Sequence, residues 1–139
     1  MLNPMRASTL VCVPPDDVPK LWPAVEHLID AAYAATDQIT PDVLTWLLER
    51  KGILWVAVVG ELEIVAALTT SLEPRRGGLA CRMVAASADG IDYCLPHLAA
   101  IEHYAIAEGC YKVEVSGRQG WGRRLPGYAP TTLSLEKRL

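Results

Sequence analysis

The chain has 139 residues, a formal net charge of −3, 51% hydrophobic and 21% charged residues, and a mean hydropathy of +0.19. That excludes a disordered or low-complexity chain, and the length fits one domain, 1–139, able to bury about two-thirds of its unfolded surface. No apolar run approaches the roughly 20 residues that span a bilayer, and Met1 to Arg6 lacks the basic-then-apolar layout of a signal peptide.

Ala7 to Val13 reads as a short strand, closed by Pro14-Pro15 and the acidic pair Asp16-Asp17. Val18, Leu21, Trp22, Val25, Leu28, Ile29 and Ala32 then recur at helical spacing. Asp16 or Asp17 is the expected cap, Pro19 suits the first turn, and Pro23 is expected to bend or delay this helix. A second helix opens at Thr40-Pro41, presents Val43, Leu44, Leu47 and Leu48, and is expected to end at Gly52. Trp22 and Trp46 are read as core-filling aromatics. Ile53 to Val59 is the continuous apolar run of a buried strand, and Gly60-Glu61 turns it into a hairpin partner, Leu62 to Leu72.

Glu73 to Gly78 is predicted as a second turn and Leu79 to Ala86 as a third strand. The loop Ser87 to Asp92 leads into a helix reaching Glu108, with the stripe Cys94, Leu95, Leu98, Ile101 and Ala105. Asp92 as its cap would leave Pro96 in the tolerant first turn. Tyr111 to Ser116 follows as a strand, 117–127 as a Gly-Arg-rich turn with one helical turn, and Thr131 to Leu135 as a last strand. The order β-α-α-β-β-β-α-β-(short α)-β predicts an α/β (α+β) fold. Its sheet is mixed and mostly antiparallel, with helices on both faces and one parallel pair made by the helical crossover.

Charge is unevenly placed. Residues 1–63 carry nine acids and four bases, 64–111 five and three, and 112–139 two acids and six bases. The basic end suits an anionic partner such as phosphate, nucleotide or an acidic protein, or it is an ordinary mixed surface. Nucleic acid is disfavoured, since the protein is acidic and has one short basic patch. Cys12, Cys81, Cys94 and Cys110 form no Cys-x-x-Cys pair, and His97 and His103 do not share a helix face. These spacings predict reduced thiols, a cytoplasmic setting and no metal.

The element order resembles the GNAT superfamily of N-acyltransferases over almost the whole chain. Leu125-Pro126-Gly127-Tyr128 with Thr131 to Leu139 is similar to the family's closing turn and last strand, and Tyr111 to Ser116 to the strand before it. Ile101-Glu102 through Gly109-Cys110 to Gly117-Arg118 and Gly120-Trp121 also resembles small GNAT-like proteins encoded in phages and prophages. The resemblance implies acetyl-CoA in a splay between 79–86 and 111–116, bound at Ala85, Ser87 and Gly90, with its pyrophosphate at the start of the crossover helix. Of the family's pyrophosphate signature, Ser87-Ala-Asp-Gly90-Ile-Asp92 keeps only Gly90, and Asp89 and Asp92 set two carboxylates where phosphates would bind. The family's proton-donating Tyr falls at Arg123, and 79–86 carries no carboxylate base.

Glu102 and Glu114 are the candidate catalytic bases. Alternatively, Glu102 anchors Arg82 or Arg118 in an ion pair. Arg118, Trp121, Arg123 and Arg124 form a candidate ligand or partner site, with a Trp plug over the sheet among solvated arginines as the alternative. Two functions stay open. One is an acyl-CoA-dependent N-acyltransferase with a degenerate pyrophosphate loop; the other is a non-catalytic GNAT-like interaction protein of phage origin, virion-associated, with a protein partner. The oligomeric state is not legible.

Overall fold

The computed structural model describes residues 7–34, 36–61, 63–87, 93–116, 125, 127–130 and 135–138. Among these residues five strands form one sheet in the order β1-β2-β3-β4-β5: β1 Thr9–Val13, β2 Ile53–Val59, β3 Glu63–Arg75, β4 Gly78–Ser87 and β5 Lys112–Ser116. Every neighbouring pair is antiparallel except β4 and β5, which run parallel. The parallel pair follows from the connection, a 3-10 turn at Leu95–His97 and then α3 at Leu98–Ala107. The mixed sheet expected from the sequence is therefore present.

Side chains alternate across the pleat, so each strand feeds two cores. On one face α1 (Val18–Tyr33) and α2 (Thr40–Leu48) pack Val25, Ile29, Val43 and Leu47 against Leu54, Val56, Ala67 and Val84. On the other, Leu98, Ile101 and Ala105 of α3 pack against Ala57, Val59, Leu68, Cys81 and Met83. Ile53 to Val59 reads as one apolar run because it serves both. A register shift between Ala57 and Val58 leaves Val65 unmatched on β3, which turns Val65 and Ala66 to the same α3-side core.

Several boundaries differ from expectation. A 3-10 turn, Pro15–Asp17, precedes α1; Pro23 lies inside α1, and no aspartate side chain caps it. The Thr40 hydroxyl donates to Asp30 Oδ1 at 2.8 Å, tying α2 to α1 instead of capping α2. α2 stops at Leu48, and the left-handed residue beyond it is Arg50 (φ 61°) rather than Gly52. Gly52 instead lies under the Trp46 ring, which a Cβ there would overlap. β3 runs three residues past its predicted end, reducing the turn to Arg76-Gly77. Pro74 is admitted because β2 pairs with β3 only as far as Thr70, and among the described residues nothing pairs with that side of the stretch. The crossover helix begins at Leu98, six residues beyond Asp92, with Pro96 inside the 3-10 turn. The predicted last strand and the helical turn in 117–127 fall largely outside the described residues.

Candidate active site

The parallel pair sets the site. β5 matches β4 from Ala80↔Lys112 to Val84↔Ser116, while β4 continues through Ala85, Ala86 and Ser87. Those three residues pair with Leu68, Ala67 and Ala66 of β3, and among the described residues nothing pairs with their other edge. Ala85 is buried toward α3 and Ala86 toward α1 and α2, so small side chains flank this stretch of free backbone. An open edge offers N–H and C=O groups to an extended, amide-bearing ligand. Of the expected cofactor residues, Ala85 and Ser87 lie here; Gly90 is outside the described residues, as are Asp89 and Asp92.

The two candidate bases lie on opposite faces of the sheet. Glu114 is on the α1/α2 face, where Arg75 grips its carboxylate twice, at 2.9 and 3.0 Å, and Lys112 approaches at 3.2 Å. The Arg75 hydrogen bonds, with Lys112 behind them, hold its pKa below the usual carboxylate value. This favours an anchoring role over proton abstraction. Glu102, on α3, accepts a hydrogen bond from the Tyr128 hydroxyl at 3.0 Å. Burial, then this bond, raises the Tyr128 pKa, so the phenol stays neutral and donates. Glu102 therefore does not pair with Arg82, which projects from the other face. The arginine and tryptophan cluster, Arg118, Trp121, Arg123 and Arg124, lies outside the described residues.

Sequence reasoning missed what lies above the sheet on the α1 side. There the Tyr33 hydroxyl and Thr69 Oγ1 stand 2.6 Å apart, both side chains buried, and burial raises the Tyr33 pKa. Arg82 Nη1 reaches the Gln38 amide oxygen at 3.4 Å. Gln38, Tyr33, Glu26, His27 and Asp30 line an open groove of about 700 Å³ between the outer face of α1 and the segment leading into α2. The available signal was Glu26 and Asp30 at i, i+4 on the polar face of a helix otherwise read for its core. At the same end of the sheet as Ser87, His97 Nε2 lies 2.7 Å from Ser8 Oγ, and burial lowers the His97 pKa. Cys12, Cys81 and Cys110 carry free thiols, and burial pushes Cys81 up to about 11. Among the described residues no cluster of His, Cys, Asp and Glu is placed to hold a metal ion, and no helix is long and apolar enough to cross a membrane.

No family model matches the chain, and no curated relative does. Solved structures do match. An aminoglycoside acetyltransferase from an uncultured soil metagenomic sample, in complex with sisomicin, is 14% identical, with a TM-score of 0.69 over 95% of this chain and 96% of that one. A predicted acetyltransferase with acetyl-CoA from Clostridium acetobutylicum is 15% identical, TM-score 0.66, over 95% and 96%. A ribosomal-protein-alanine N-acetyltransferase from Brucella melitensis is 15% identical, TM-score 0.69, over 96% and 100%. At such identities the likeness concerns the fold, and that fold is the one GNAT acetyltransferases share. It extends over nearly the full length of each chain.

Proposed function

We propose that this chain is an acyl-CoA-dependent N-acyltransferase. The observation that carries the reading is the end of β4, where residues 85–87 keep one backbone edge free among the described residues. Acetyl-CoA brings amide groups that suit such an edge, with the thioester carried past Val84↔Ser116, where the pairing ends among the described residues. There an acceptor amine displaces the CoA sulfur: the N–C bond forms, the C–S bond breaks, and the amine's proton leaves as the thiolate gains one. Holding both reactants in one cleft supplies much of the acceleration. The neighbours bound to acetyl-CoA and to sisomicin support the reading, being acetyltransferases of the same fold with a cofactor or a small molecule in place.

Calorimetric titration of acetyl-CoA, followed by a thiol-release assay over a panel of amines, tests it. Saturable heat with amine-dependent thiol release is expected; no heat at millimolar acetyl-CoA would overturn it. A second reading, a non-catalytic interaction protein, draws on the state of the acids. Glu114 is committed to Arg75 and Lys112, and β4 carries no carboxylate. A phage or virion setting rests on the sequence likeness around 101–121 alone. Partner capture through Arg118 and Trp121, with no acetyl-CoA binding, would favour that reading.

A further inference from the structure

Arg82 stands in the middle of β4, and among the described residues no acid holds it. Register sets Ser71 of β3 on one side and Glu114 of β5 on the other. Both are engaged elsewhere: Ser71 donates to Glu73 at 2.8 Å, and Glu114 takes Arg75 and Lys112. Among the described residues no carboxylate pairs with Arg82, and its hydrogen bond there is the long one to Gln38. A guanidinium has five donors in a planar fork, so most of this one faces solvent or a ligand. Gln38 is also a wall of the groove, which puts Arg82 where groove meets sheet.

Two features limit what fits. The fork matches a carboxylate or phosphate in bidentate fashion. The outer wall carries Glu26 and Asp30, and its lining includes no lysine or arginine among the described residues, so further negative charge is repelled. A single carboxylate satisfies both, and a dianionic phosphate does not. Along the strand each residue rises about 3.3 Å, so Val84, the last residue β5 covers, lies about 7 Å from Arg82. A molecule with its carboxylate on Arg82 and an amine a few bonds away spans that interval.

We propose that Arg82 determines acceptor specificity, binding the carboxylate of an amino acid or short peptide whose amine receives the acetyl group. This rests on the N-acyltransferase reading, and the test separates the two. Alanylalanine and its C-terminal amide are titrated by calorimetry into wild type, Arg82→Gln and Arg82→Lys, with acetyl-CoA titrated in parallel. Wild type should bind the free carboxylate about tenfold to a hundredfold tighter than the amide. Arg82→Gln should bring that ratio near one with amide affinity unchanged, and Arg82→Lys should fall between. Acetyl-CoA affinity should be the same in all three. Equal affinities in wild type, a ratio kept in Arg82→Gln, or no binding of either peptide at millimolar concentration would overturn the proposal. So would weaker acetyl-CoA binding in Arg82→Gln, which would assign the guanidinium to a CoA phosphate. If acetyl-CoA does not bind wild type, the enzymatic reading fails separately, and the peptide ratio still decides what Arg82 holds.

Discussion

Glu102 and Tyr128 show how one contact reassigns a residue. An acid on the apolar side of a helix needs a partner, and the sequence offered Arg82 and Arg118; the structure supplies a phenol 26 residues away. Tyr128→Phe strands that half-buried carboxylate, and urea denaturation should show a loss of about 1–2 kcal/mol. Arg75→Ala should leave the urea midpoint nearly unchanged, because the Arg75–Glu114 pair reaches the surface and its Coulomb energy is screened. His97 makes a pH prediction. Burial lowers its folded pKa, so the unfolded chain binds a proton more readily. Stability should therefore fall as pH drops through the free-imidazole range near about 6.5, with the loss complete below the folded value. Denaturation midpoints at about pH 7.5 and 5.5 should differ more for wild type than for His97→Asn.

At the scale of elements, the five described strands were legible and the stops were not. Ile53 to Val59 announced itself because a strand buried on both faces has no polar side. Pro74 looked like a turn, but proline offends a ladder only where a donor is required, and β3 has outrun β2 there. Gly52 looked like a helix stop, yet its missing side chain makes room for Trp46 and Arg50 takes the left-handed turn. Gly52→Ala should accordingly cost about 1–3 kcal/mol by forcing the indole aside. Pro23 sits exposed within α1, where it removes one backbone hydrogen bond. Pro23→Ala should raise stability by about 1–3 kcal/mol, read as a higher urea midpoint with an unchanged slope.

For the whole molecule, element order was enough to predict a mixed sheet with one parallel pair, because a helical crossover allows little else. The groove and its arginine were out of reach. Gln38 and Arg82 meet across 44 residues, and neither belongs to a spaced motif. The chain's uneven charge acquires a place here: Glu26 and Asp30 line the groove, while Arg82 on the sheet is neutralised by no described acid. The central claim is that the free edge at 85–87 receives acetyl-CoA. An amide-resolved NMR titration of isotope-labelled protein measures it directly. Saturable shifts at Ala85, Ala86 and Ser87 that follow one binding curve are the predicted result. Unmoved amides at those positions under millimolar acetyl-CoA would contradict it.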